Sequence, residues 1–201
     1  MSMDRHCGDI SLGLYRRDVD GVAGVLVHTY KSVAQAKQRV EFITLGLIEI
    51  VGLERVADAP GWLRFPCRSF HERGLKRAFL EVCKLDTGTA LATKPLSVFD
   101  KKAGCHLTAI HTGGGVYHVQ SEQQTESAQK RAVALASGLI KICEMNAVEG
   151  KPDHAAFACG TSHDALIGML MFRAQNVRAS MREEESTTSR GILSAPSQQK
   201  N

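Results

Sequence analysis

The chain has 201 residues, of which 43% are hydrophobic, 23% charged and 5% aromatic. This composition is typical of a globular protein with an aliphatic core and argues against a disordered or fibrous chain. No apolar run reaches the length of a membrane span, and the first residues lack the apolar stretch of a secretory signal. We therefore expect a cytoplasmic protein with no membrane partner.

The charge and the cysteines restrict the partners and the compartment. The net charge is +4, and the basic residues are spread along the chain rather than clustered with aromatic residues. This argues against nucleic acid as a partner, which stays the weakest alternative. The six cysteines form no C-x-x-C pair, so we expect free thiols in a reducing compartment.

The predicted elements of the first half are two strands, a helix, a strand and a helix. Residues 9–16 and 22–30 are rich in β-forming residues, with a turn signal between them. Apolar residues over 40–51 recur at helical spacing, and a short strand is predicted over 62–67. A second helix is predicted to begin at Ser69, which has a glutamate three residues later in the pattern of a capping box.

The second half predicts the same order. Residues 105–110 and 116–121 flank a glycine-rich turn and indicate a hairpin. A helix over 132–143 and a strand over 154–159 follow. The last helix is predicted to begin at Thr161, again with an acidic residue three positions later.

Four segments result from this pattern. The first ββαβα repeat occupies 1–85 and the second 104–180. Residues 86–103 form a connector that contains Thr, Lys and Pro, with an extra strand expected near 96–99. Residues 181–201 hold few apolar residues and are expected to be a disordered tail.

The two halves match each other directly in sequence. Residues 21–71 align with residues 113–163 without a gap, with 13 identities in 51 positions. Chance would give roughly three for such a composition. We therefore predict an internally duplicated α+β protein, in which helices cover a mainly antiparallel sheet and the two copies are related by a pseudo-two-fold axis.

Two glycines are shared at equivalent positions inside the first helix of each copy. Gly46 and Gly138 each cost about 1 kcal/mol relative to alanine in a helix. Their presence in both copies predicts close approach of another backbone. The expected neighbour is the sheet or the other repeat.

The strongest functional signal is a Cys-x-x-x-His pattern that recurs in both copies, as Cys67/His71 and Cys159/His163. Each pair lies where a predicted strand gives way to a helix, a location that favours anions and can lower a cysteine pKa. The cysteines are therefore candidate catalytic nucleophiles with the histidines as bases. The same residues suit zinc, and four ligands would converge if the two copies face each other. Simple packing of small buried side chains is a strong alternative explanation of the pattern.

The residues around the two pairs suggest different roles. Gly160 and Thr161 are small and leave room for a ligand to approach the backbone, whereas Arg68 can bind an anionic group. We therefore name these three as candidate cofactor-binding residues. The histidines of the second predicted hairpin, His106, His111 and His118, are interpreted as surface and strand-face residues.

These observations favour a small-molecule-binding protein or enzyme with its site at the repeated strand-to-helix junctions. One alternative is a non-catalytic interaction or assembly protein, which forms a homo-oligomer. Both catalytic and binding roles are consistent with the sequence, which identifies neither substrate nor reaction.

Overall fold

The computed structural model describes the backbone of residues 2–7, 10–19 and 21–177, and the side chains of residues 13–18, 21 and 23–177. The predicted tail at 181–201 lies outside this part of the chain. The elements of the first half are β1 (Ser2–Cys7), β2 (Ile10–Val19), β3 (Val22–Thr29), α1 (Ala34–Glu49), β4 (Glu54–Arg55), β5 (Trp62–Arg64) and α2 (Glu72–Val82).

The second half continues with the same kinds of element. They are β6 (Ser97–Asp100), β7 (Cys105–Gly113), β8 (Val116–Ser121), α3 (Glu126–Cys143), β9 (Asn146–Val148), β10 (Lys151–Ala156) and α4 (Asp164–Gln175). Among the described residues, no helix is both long enough and apolar enough to cross a bilayer.

The strands form two antiparallel sheets, which confirms the predicted mixed α+β class. Their strand orders are β1-β2-β3-β5-β4 and β6-β7-β8-β10-β9. Each half therefore reads βββαββα, and the predicted order ββαβα was incomplete. The short strands β4 and β9 span only two and three residues, too few to leave a periodic pattern. Strand β6 lies inside the predicted connector 86–103, where it pairs with β7.

Helices α1, α3 and α4 pack against the sheets, α2 packs against the other helices, and one continuous core spans both halves. Leu63, Leu75 and Phe79 of the first half belong to the same buried cluster as Leu139 and Leu166 of the second. A Cβ built on Gly74 of α2 would lie 3.2 Å from a Leu166 methyl group. The halves are therefore in close contact where α2 meets α4.

Both helix glycines lie where an added side chain would collide with a neighbour, but the predicted close approach of another backbone is confirmed only at Gly138. A Cβ on Gly138 would lie 2.1 Å from the carbonyl oxygen of Ala174 in α4, and one on Gly46 would lie 2.6 Å from a Val82 methyl group in α2. The expected neighbours were wrong: each glycine faces a helix of its own half, not a sheet or the other half. Of the two glycines, only Gly138 lies against backbone atoms. Backbone atoms cannot move away as a side chain can by changing rotamer.

We expect Gly138→Ala to destabilise the protein by about 2 kcal/mol, because overpacking costs about 1–3 kcal/mol and exceeds the gain in helix propensity. Urea unfolding measures the change. Gly88→Ala is the control, since nothing lies within 4 Å of a Cβ at that position. Equal stability of the two variants would contradict this account of the α3–α4 contact.

Candidate metal centre

Each cysteine of the repeated pattern lies in a tight turn that follows a strand. The Arg68 amide donates to the Phe65 carbonyl at 2.9 Å, and the Gly160 amide donates to the Phe157 carbonyl at 3.0 Å. Arg68 and Gly160 close these turns with φ values of 61° and 70°. Glycine adopts this conformation readily, whereas arginine does so at a cost of about 1–2 kcal/mol.

The helices begin later than the sequence pattern indicates. Helix α2 begins at Glu72 with His71 as its N-cap, and α4 begins at Asp164 with His163 as its N-cap. The predicted capping boxes at Ser69 and Thr161 were therefore wrong. Residues 68–70 and 160–162 belong instead to the turns, which place each cysteine in contact with its histidine.

The four predicted site residues converge on one point. Cys67 Sγ lies 3.3 Å from His71 Nε2, and Cys159 Sγ lies 3.3 Å from His163 Nε2. One ligand atom from each of the four residues lies within 4.8 Å of all the others. The site thus combines one Cys–His pair from each half of the chain.

Aromatic rings fix the two histidines in place. The His71 and His163 rings contact each other with centroids 4.5 Å apart. Phe65 and Phe157, which begin the two turns, each contact both histidines at centroid distances between 4.6 and 5.3 Å. These apolar walls leave both imidazoles 6–7% exposed, whereas the two thiols are half-buried.

This burial controls the protonation of the site. It lowers the pKa of His71, and it lowers the pKa of His163 to about 4 with help from the neighbouring His71. Burial also raises the pKa of Cys67, with a further contribution from the Cys159 thiol. Cys67 lies outside the helix, so the expected lowering of its pKa by the helix N-terminus was wrong. At neutral pH the histidines are uncharged, the form in which imidazole binds metals.

Tyr117 of β8 positions the backbone of His163 in the second Cys–His pair, a role that the sequence did not predict. Its hydroxyl donates to Asp164 Oδ1 at 2.6 Å and accepts from the backbone N–H of His163 at 2.7 Å. The tyrosine is fully buried. A buried hydroxyl needs a hydrogen-bond partner. The partner here is 46 positions away in the chain, and no pattern in the sequence identifies it.

The three candidate cofactor-binding residues surround the cysteine turns. Arg68, Gly160 and Thr161 are exposed. The Gly160–Thr161 backbone lies against Gly115 of the glycine-rich turn, where an added Cβ would be 3.0 Å from it. Gly115 therefore covers that side of the second turn. The role of the three residues in ligand binding stays a prediction.

The spacing of the four ligand atoms matches the size of a single metal ion. Tetrahedral zinc with bonds of about 2.3 Å to sulfur and 2.0–2.1 Å to nitrogen separates a sulfur from a nitrogen by roughly 3.6 Å. The two observed separations of 3.3 Å are close to this value. The other separations among the four ligand atoms are at most 4.8 Å.

Comparison with known proteins yields no relative, since no family model, no curated protein and no solved structure matches the chain. The interpretation of the site therefore depends on its own geometry and chemistry.

The low pKa of His163 predicts acid sensitivity of the metal-free protein. Between pH 6.5 and about 4 the unfolded chain binds a proton at this histidine that the folded chain excludes. The stability contribution is therefore complete above pH 6.5 and falls as the pH drops through this range. Thermal unfolding of chelator-treated protein across the range should show a shallower pH dependence for His163→Asn than for wild type.

The control variant is His111→Asn, which changes an exposed histidine. It should follow the wild-type pH dependence. Parallel profiles for all three proteins would contradict the assignment of a buried neutral His163.

Proposed function

We propose that this chain is a metal-binding protein that holds one zinc-class ion between its two halves. The ligands are Cys67, His71, Cys159 and His163. The observation that carries the proposal is the convergence of the four ligand atoms within 4.8 Å of one another.

The donor set supports a zinc-class ion. Thiolate and imidazole together favour zinc and related ions over magnesium or calcium, which prefer oxygen ligands. The low pKa values of both histidines keep their nitrogens free of protons. Metal binding then requires only that the two thiols lose their protons, and the charge of the ion favours this loss.

We further propose that the halves arose by duplication and are related by a pseudo-two-fold axis that passes through the site. The two sheets have the same strand order. Helices α1 and α3 begin at residues 34 and 126, and helices α2 and α4 at residues 72 and 164. Both separations equal the 92-residue offset of the sequence match. On this proposal each copy contributes an equivalent half of the metal site.

The proposed role of the ion is to fasten the two halves together. Four protein ligands complete a tetrahedral shell and leave no position for a substrate, as in structural zinc sites. Two ligands come from each half, so the free energy of binding adds to the stability of the contact between them.

Protein purified without a histidine tag or added metal should contain at least one zinc-class ion per chain, measured by inductively coupled plasma mass spectrometry. Cys159→Ser removes one ligand of the Cys–His centre and should lower the metal content by about one ion per chain. Chelation should lower the melting temperature of wild type but not that of the variant.

Cys83→Ala serves as the control, because Cys83 is buried outside the site. It should retain the metal. A metal content that is negligible in wild type even after incubation with zinc, or that is equal in wild type and Cys159→Ser, would overturn the proposal.

A second candidate function is a small-molecule enzyme or binding protein that uses the thiols directly. The 3.3 Å contact of each thiol with an imidazole favours it, since this is the geometry of a nucleophile and its base. Arg68, Gly160 and Thr161 would then contact the substrate. This function requires a metal-free site, because a sulfur that coordinates an ion is not available as a nucleophile.

Alkylation rates test the thiol hypothesis. If Cys67 or Cys159 is an activated nucleophile, it reacts with iodoacetamide faster than a free cysteine near neutral pH, and His163→Asn slows the reaction at Cys159. The raised pKa of Cys67 leads us to expect slow reaction at that residue. Fast alkylation of metal-free Cys67 at neutral pH would contradict this expectation and favour the enzyme.

A further inference from the structure

A second group of metal-ligand side chains lies on the second sheet. His118 of β8 and His154 of β10 are directly opposite each other in the antiparallel pairing. Their rings stack with centroids 4.4 Å apart and an interplanar angle of 11°. His118 alternates with the buried Tyr117 and Val119 and therefore faces away from the core.

An irregular strand pairing brings a carboxylate to the same two histidines. The register of β10 against β9 shifts between Lys151 and Ala155, the stretch that contains Asp153 and His154. In a regular strand these two neighbours would point to opposite faces, but a bulge re-aims a side chain. Asp153 consequently contacts both rings, with Oδ2 3.1 Å from His118 Nε2 and Oδ1 2.6 Å from His154 Nδ1.

The three side chains bring three potential metal-ligand atoms close together. Their ligand atoms lie within 4.8 Å of one another. Neighbouring ligands of an octahedral ion with bonds of about 2.1 Å are roughly 3.0 Å apart, which is close to the 3.1 Å contact between His118 and Asp153. Because an ion lies in the plane of the imidazole that binds it, one of the two stacked rings must rotate before both nitrogens bind the same ion. The side chains are between 16% and 34% exposed, which leaves one side of the group accessible to solvent.

We propose that His118, Asp153 and His154 form a second metal site, which takes a divalent first-row transition ion. Two imidazoles and one carboxylate bind such an ion on one face and leave the remaining coordination positions open. This site differs from the Cys–His centre, whose four ligands fill a tetrahedral shell. It contains no thiolate and accommodates harder ions such as Fe²⁺, Mn²⁺ or Co²⁺.

The site borders a cavity that has both polar and apolar lining residues. His118 and Asp153 line a space of about 310 Å³ together with Gln120, Ser121, Gln124 and Gln129. The side-chain amides of the three glutamines can donate hydrogen bonds to a metal-bound water or to a small ligand with oxygen donors. The second site is thus the one of the two at which an exogenous ligand can reach the ion.

Cobalt binding tests this proposal, because Co²⁺ bound to thiolate has a sulfur-to-metal charge-transfer band that Co²⁺ bound to imidazole and carboxylate lacks. Full-length metal-free protein is titrated with Co²⁺ by calorimetry and by absorption. We expect two ions per chain in wild type. Asp153→Asn and His118→Ala should each weaken one of the two binding events by more than tenfold and leave the charge-transfer band unchanged.

His111→Ala is the matched control, since it removes an exposed histidine of the adjacent strand β7. It should bind two ions. Asp153→Asn preserves the shape of the side chain. Weaker binding in this variant therefore reports loss of a ligand even if the histidine variant misfolds. Unchanged calorimetric binding in both variants, or binding of a single ion with a charge-transfer band in wild type, would overturn the second site. Failure of the Cys–His proposal would instead remove the charge-transfer band and leave the second event.

Discussion

The contact between His71 and His163 is the interaction on which the rest of the structure depends. The two rings meet only because α2 and α4 begin side by side, each preceded by a turn that starts with a buried phenylalanine. Gly74 permits the close approach of α2 to Leu166. The same contact that joins the two halves of the core therefore also brings two thiols and two imidazoles together.

The contact between the halves also sets the chemistry of the group. Apolar rings around the imidazoles disfavour their charged form, and burial, with a further contribution from the nearby Cys159 thiol, disfavours ionisation of Cys67. A protonated Cys67 thiol is a weak nucleophile at neutral pH, but a cation stabilises thiolate ligands and so favours loss of the proton. This is the physical reason to prefer metal binding over thiol catalysis.

The sequence predicted the elements that have a long periodic signal and the residues of the candidate site. Helices α1 and α3 follow from their apolar spacing, and the obstruction around Gly138 follows from its place within a helix. The Cys–His pairs were identified by recurrence alone. Their convergence depends on contacts between residues 92 positions apart, which a single sequence does not reveal.

Other features escaped the sequence because they depend on the folded environment. The hydroxyl of Tyr117 finds its partners only after β8 and α4 pack together. His118 was interpreted as a strand-face histidine, which is correct for its position, but the bulge that brings Asp153 to it has no sequence signature. The capping boxes were wrong because Ser69 and Thr161 belong to the turns that form the site.

The central claim is that one ion is bound by two sulfurs and two nitrogens, one of each from either half. X-ray absorption spectroscopy at the zinc edge, on protein that carries one zinc per chain, reports the ligand types and distances directly. The account predicts two sulfur ligands at about 2.3 Å and two nitrogen ligands at about 2.0–2.1 Å. A shell of nitrogen and oxygen alone would contradict it.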